Sequence, residues 1–470
     1  LQKQSSETLE SAEQQAAAKK MMWILMVGIL APLFDTTITN VAIDTLVREF
    51  NTSVSTIQWV MTSYLLALGM VIPITGWAVE RFGGKSMWIF SLCMFLLGSV
   101  LCSLAWNVES LIFFRTIQGI GGGLLMPIMQ TLGVRAFGGQ NMGKGMATVG
   151  LPALLGPILG PVLGGLIINH LNWRWIFLVN IPLCIVAIIM AWKGLPNEER
   201  RTRTLRLDLL GLMLLSPAIV LIICGLGEVS SNHGFGHVAV LVPVLAGLAL
   251  LAVFVVYAFR KGSEALLDVR LFRVRSLAVS TILLFLSGLT TYGAMLLLPL
   301  YFQQVRGESV LISGLLLVPQ GVGMLLTRSL AGKLTDQIGS RPVVLVGTML
   351  TLLGTWPFTQ LSADTSYYYL SAALIVRGAG LGAVFLPVMA SAYIGLSSKQ
   401  IPHASSTTRI MQQIGGAFGA SVIAIILQIN SVMPHDPTAV AVAFDHVFIW
   451  SIAFSALALI PATLLPRIKR

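Results

Sequence analysis

The chain has 470 residues, 56% of them hydrophobic and only 10% charged, with a formal net charge of +11. Ordinary soluble domains carry roughly 25% charged residues, so most of this chain has no water to face, which excludes a soluble globular protein. It reads instead as an all-α polytopic membrane protein.

Residues 1–20 are rich in Gln and Ala, without a basic stretch leading into an apolar core. They read as a cytoplasmic segment rather than a cleavable signal, and Leu1 suggests a trimmed start. Apolar runs of about 20 residues, enough for a hydrocarbon core about 30 Å thick, then follow one another. They predict fourteen spans, near 21–42, 57–79, 86–106, 108–130, 143–169, 173–193, 208–227, 237–259, 276–302, 309–331, 342–361, 367–393, 402–428 and 443–465.

Two basic stretches, around 193–207 and 260–275, divide these spans. The predicted organisation is a six-helix bundle over 21–193, basic linkers with a two-helix insert over 194–275, a second six-helix bundle over 276–465, and a cytoplasmic tail over 466–470. A weak internal repeat supports the division: Gly76 to Lys85 follows the second span of the first bundle, and Gly332 to Arg341 the second span of the other. Parallel six-helix halves with a site between them near the midplane characterise one large class of transporters.

Lys and Arg counts in alternate loops set the orientation. The side shared by both termini holds 23, and the opposite loops hold only Arg48, Arg174 and Arg306. This bias places both termini in the cytoplasm. Anionic lipid headgroups are a sufficient partner for the basic loops, so the net charge requires no nucleic acid. The four cysteines, Cys93, Cys102, Cys184 and Cys224, lie in apolar runs without paired spacing, which argues against a disulfide or metal framework. No metal, cofactor or enzymatic nucleophile–base pair is expected.

Asp35 is the one carboxylate deep inside a predicted span. A charge there costs several kcal/mol unless it lines a polar cavity, finds a partner or takes up a proton, so it reads as a proton-coupling site. At about 1.5 Å per residue, Asp35 lies roughly 21 Å from Met21 and about 9 Å from the outer edge of the core. Arg115, entering from the outer side, reaches a similar depth, so the two can meet. A neighbouring Arg favours the charged carboxylate and desolvation the neutral one, so a change in their separation would switch proton affinity. The alternative is a static ion pair that orients two helices. Gln118, Thr36 and Asn40 complete a polar network or serve ordinary helix–helix hydrogen bonding.

Gly156, Gly160 and Gly164 share one helical face and allow close helix approach, while Pro157 and Pro161 favour bending; a hinge or rigid close packing would each use them. The Gly119–Gly123 cluster lacks the strand and Lys-Ser/Thr ending of a phosphate cradle. Arg377 and Arg409 cap carbonyls, pair across helices or face a cavity, and Arg328 is expected to snorkel at the inner end of its span. Aromatic, sulfur and amide side chains suited to a lipophilic cargo are Trp59, Tyr64, Met129, Gln130, Phe285, Tyr292, Gln320 and Met324, although such residues also serve as packing.

Four of these runs carry a resemblance to the major facilitator superfamily, and within it to the fourteen-helix drug/proton antiporters used in multidrug efflux and antibiotic resistance. Leu33 to Ala42 resembles that group's L-D-x-T-I-x-N-V-A run, with Phe34 in place of Leu. Gly76, Arg81, Gly83 and Lys85 resemble the superfamily loop G-x-x-x-D-R-x-G-x-[RK], with Glu80 in place of Asp. Arg115, Gln118, Gly119 and Gly121 match R-x-x-Q-G-x-G, and Gly156, Gly160, Pro161, Gly164 and Gly165 match G-x-x-x-G-P-x-x-G-G.

The resemblance implies a major facilitator fold and a monomeric, multi-pass protein of the bacterial cytoplasmic (inner) membrane. It implies efflux of lipophilic drugs or dyes in exchange for protons by alternating access, with the Gly76–Lys85 loop as an interdomain latch. A cargo that is monocationic, zwitterionic or neutral is expected, because only one acid lies at depth. An exporter of a native metabolite or siderophore, and a non-transporting sensor or scaffold, are the competing readings.

Overall fold

The computed structural model describes residues 2–137, 159–160, 163–168, 170–196, 206–229, 234–360, 365–397, 399–430 and 437–466. Thirteen helices among these are long and apolar enough to cross a membrane. In chain order they are α1 (Gln2–Val41), α2 (Val54–Val71), α3 (Gly84–Ser103), α4 (Val108–Phe137), α5 (Asn180–Gly194), α6 (Leu209–Gly227) and α7 (Val238–Lys261). There follow α8 (Arg275–Gln304), α9 (Val318–Ile338), α10 (Ser340–Thr355), α11 (Tyr367–Ala392), α12 (Ile401–Asn430) and α13 (Pro437–Leu457). The span expected over 143–169 falls mostly outside the described residues.

Helices α2 and α9 run beyond their predicted apolar ends. A 3-10 turn at Ile72–Ile74 carries α2 into a last helical segment, Thr75–Phe82, and α9 continues to Ile338. Each stops where a glycine adopts positive φ, Gly83 at 86° and Gly339 at 89°, and the next helix begins at the following residue. Side chains other than Gly rarely adopt that backbone state. The weak sequence repeat is therefore also a repeat of turn geometry.

The apolar cores divide by depth. At the end carrying the chain termini, one cluster joins Met21, Met22, Val79, Met87 and Leu132 with Leu277, Val344, Met389, Ile401 and Leu465. At the other end the cores are separate: Phe34, Ile38, Val60, Leu111 and Phe177 in one, Leu297, Tyr301, Phe358, Phe444 and Phe448 in the other. Among the described residues, burial of apolar area thus joins the two helix groups directly at the terminal end, and Ile72 and Ile410 also meet through α6.

The inserted helices α6 and α7 pack on each other, and α6 also packs on α2 and α12. Ser216 Oγ of α6 donates to Met70 O of α2 at 2.6 Å, and Ser421 Oγ of α12 donates to Leu226 O of α6. Asp208 caps α6 by accepting from Gly211 N (3.1 Å), and also accepts from Lys261 Nζ (2.7 Å), Tyr257 Oη (2.6 Å) and Leu266 N (2.9 Å). Burial opposes ionisation of this carboxyl, but the donors from Lys261, Tyr257, Gly211 and Leu266 outweigh it and hold it below the usual carboxylate range.

Candidate functional site

Pro32 lies inside α1, three residues before Asp35, where its ring and missing N–H weaken the helical ladder. Hydroxyls supply local bonds instead: Thr36 Oγ1 donates to Leu33 O (3.0 Å), Thr37 Oγ1 to Phe34 O (3.0 Å) and Thr39 Oγ1 to Asp35 O (2.6 Å). The Thr36 hydroxyl bonds to its own helix, and the Asn40 side chain lies outside the described residues.

Glycines seat α4 against its neighbours. A Cβ at Gly123 would meet Leu68 O of α2 at 2.6 Å, one at Gly121 would press on the Phe95 backbone of α3, and one at Gly98 of α3 would meet Gln118 N at 2.6 Å. This close approach carries Arg115 and Gln118 to the carboxylate of α1. Arg115 Nη1 donates to Asp35 Oδ2 in an ion pair whose two side chains are both fully buried. Gln118 Nε2 (2.8 Å) and Asn180 Nδ2 of α5 (2.9 Å) both donate to Asp35 Oδ1.

A second ring of contacts holds these donors. The Gln118 and Asn180 amides each reach Ser99 Oγ of α3, at 2.8 and 3.3 Å. Arg115 Nη1 also donates to Gln118 Oε1 (2.7 Å) and its Nε to Val60 O (3.2 Å). The guanidinium lies 4.3 Å from the Tyr64 ring centroid and 5.7 Å from that of Phe177, so aromatic faces replace its hydration. Every charge-bearing atom of the pair has a partner, as a buried ion pair requires if it is not to be strongly unfavourable. Asn180 and Ser99 were not singled out from sequence.

The C-terminal helices hold a related centre with different chemistry. Arg377 of α11 is 2% exposed; its Nη1 donates to Gln320 Oε1 of α9, and its Nε has no partner. Gly354 of α10 packs against the Arg377 backbone, and Gly378 against that of Gln320. Arg328, expected to snorkel, is instead 6% exposed, with Nη1 and Nη2 both unpartnered, because its helix continues past it to Ile338.

Of the residues expected to contact cargo, Tyr64 is fully buried beneath Arg115, and Met129 lies in the core shared by the two helix groups. Gln130 is buried with its Oε1 unpartnered, whereas Trp59 is 45% exposed. Phe285 and Tyr292 of α8 lie against α12, through Gly415 and Gly416. Gln320 belongs to the Arg377 pair, and Met324 lies against Gly382 of α11.

Among the expected gating residues, Gly76 faces the backbone of Pro402 and His403 on α12, with 3.5 and 3.6 Å available to a Cβ. Arg81 stacks over Trp77 and Phe82 at 5.6 and 5.7 Å, and Glu80 and Lys85 are half-buried. A Cβ at Gly160 would run into the Thr37 side chain of α1, Gly164 is buried, and Gly165 faces open space. Gly156 and Pro161 lie outside the described residues.

Comparison with known proteins agrees with this architecture. The chain is 38% identical over 398 residues to a multidrug resistance protein B homolog of Mycobacterium tuberculosis, covering 84% of this chain and 73% of that protein. It is 26% identical to the lincomycin resistance protein LmrB of Bacillus subtilis, over 98% of this chain and 99% of that one. Its fold is similar to that of the human organic anion transporter MFSD10, with a TM-score of 0.62 at 16% identity over 93% of this chain and 99% of that chain. The proton:xylose symporter XylE gives a TM-score of 0.63 at 15% identity over 97% of both chains. The family model of the Major Facilitator Superfamily matches residues 25–420, and this chain, a multi-pass membrane transporter and not an enzyme, belongs to that superfamily.

Proposed function

We propose that this protein exports lipophilic small molecules across the bacterial cytoplasmic membrane in exchange for protons, with Asp35 as the proton carrier. The observation that carries the reading is the Asp35 centre: a carboxylate at membrane depth held by Arg115 and Gln118 of α4 and Asn180 of α5, donors on two other helices. Such a site loses its donors when α1, α4 and α5 shift, and a carboxylate stripped of them inside a bilayer takes up a proton. The basic bias of the loops supports cytoplasmic termini. On that orientation the shared core lies on the cytoplasmic side and the two separate cores on the outer side. Alternating access then consists of parting the shared core while the outer cores come together.

Purified protein in weakly buffered detergent should release protons when a lipophilic dye is added, and the Asp35→Asn variant should release none. In vesicles the same substitution should abolish export driven by a pH gradient. Unchanged export and unchanged pH dependence in that variant would rule out the coupling role.

A further inference from the structure

Away from the span ends, Arg115, Arg328, Arg377 and Arg409 stand against one carboxylate at depth among the described residues, Asp35. Both oxygens of that carboxylate already accept from protein donors. The interior thus has no acid to spare for a cationic cargo and a surplus of positive charge.

Helix α12 brings that surplus to the boundary between the helix groups. At about 100° per residue, Ser406, Arg409 and Gln413 fall within roughly 60° of one another and on the same face as Pro402. Pro402 meets Gly76 of the N-terminal group, so this stripe is turned towards that group. Helix α8 takes another face of α12, through Gln412, Gly415 and Gly419, and α6 a third, through Ile410 and Ser421.

The stripe is left with unused hydrogen-bonding capacity. Ser406 is fully buried and its Oγ has no partner, and Gln413 Oε1 is buried without one. Arg409 is half-buried and donates from Nη1 to Gln412 Oε1 at 2.9 Å, its one hydrogen bond among the described residues. Unpaired polar groups buried at the boundary between two helix groups inside a bilayer mark a place for a polar group that the protein does not itself supply.

We propose that this stripe receives the acidic group of the cargo, so that the transported class is lipophilic organic anions and zwitterions bearing a carboxylate. The proposal rests on the export reading above. Arg409 supplies a charge-assisted bond to the carboxylate, the Ser406 hydroxyl donates a second bond, and Gln413 Oε1 accepts from a hydroxyl or N–H elsewhere on the cargo. The Asp35 centre stays separate, so cargo charge and proton are read by different residues.

Three probes share one ring system and differ in charge: 1-naphthaleneacetate, 1-naphthaleneacetamide and 2-(1-naphthyl)ethylammonium. Binding to the full chain in detergent at neutral pH, followed by fluorescence and thermal stabilisation, should favour the acetate over the ammonium by about tenfold or more. Arg409→Gln should abolish that preference while leaving the acetamide unchanged. Should Arg409→Gln not yield folded protein, Arg409→Lys and Ser406→Ala decide, each expected to weaken the acetate about threefold and to spare the acetamide.

Equal or tighter binding of the ammonium, acetate affinity unchanged in these variants, or no acetate binding at millimolar concentration would each overturn the proposal. Failure of the export reading shows separately, as acetate binding through Arg409 without proton release. Pumping of the ammonium in preference to the acetate, lost in Asp35→Asn, would leave export standing and remove the anion site.

Discussion

Arg115 and Arg377 occupy matching places. Each lies in the N-terminal half of a helix that packs between two others, α4 on α2 and α3, and α11 on α9 and α10. Each such helix is met by a glycine of its neighbour, Gly98 against Gln118 and Gly354 against Arg377. Only Arg115 has a carboxylate, since Arg377 ends on the amide of Gln320. The same backbone design thus carries an ion pair in one half and a guanidinium bonded to a neutral amide in the other. Glycine packing fixes where the guanidinium goes, and the partner decides whether it meets a counter-charge.

The contrast is broken most severely at Asp35. Asp35→Leu leaves Arg115 charged, buried and unpaired, and should cost about 3–5 kcal/mol of stability, read as a large fall in the thermal midpoint in detergent. Arg377→Met deletes a cation that lacks a counter-charge and should change stability by less than about 1 kcal/mol in either direction. Equal losses from the two would mean that the difference in partners carries no energetic weight.

Asn180→Ala removes one donor from the carboxylate, a charge-assisted bond worth about 1.5–3 kcal/mol, and should lower both thermal stability and dye export. A variant that exports normally would reduce Asn180 to packing. The paired glycines come next. Gly98→Ala and Gly354→Ala both overpack helix contacts and should each cost about 1–3 kcal/mol. Only Gly98→Ala, which displaces Gln118, should impair proton release as well.

The smallest effect lies outside the membrane. Because the folded-state value for Asp208 is depressed, its contribution is present above the ordinary carboxylate value of about 3.9 and is lost as pH falls through the folded value. Asp208→Asn should therefore lower stability at neutral pH and lose less on acidification than the parent chain. A parallel acid profile in the two proteins would remove Asp208 as the cause.

Much of this was legible in the sequence, because a bilayer imposes simple rules. Apolar run length marked out the thirteen spans seen among the described residues, and Asp35, Arg115 and Gln118 stood out because charge and amide are rare at that depth. Asn180 and Ser99 gave no such signal: neutral polar residues are common inside spans, and their role depends on how α3 and α5 pack around α1. The Asp208 cluster lay at a span edge, where an acid is ordinary, and its partners Tyr257, Lys261 and Leu266 are about 50 residues away. Arg377 was visible as a buried cation, but the amide that meets it comes from another helix, and sequence spacing carries no information on that pairing.

Helix α6 is hydrogen-bonded to both helix groups, to α2 through Ser216 and to α12 through Ser421. If the helix groups rock apart at this seam, α6 can ride with only one of them, and the bond to the other opens towards acyl chains that offer no replacement. The insert would then act as an outrigger with a preferred resting posture, setting how readily the transporter leaves that posture while touching neither proton nor cargo.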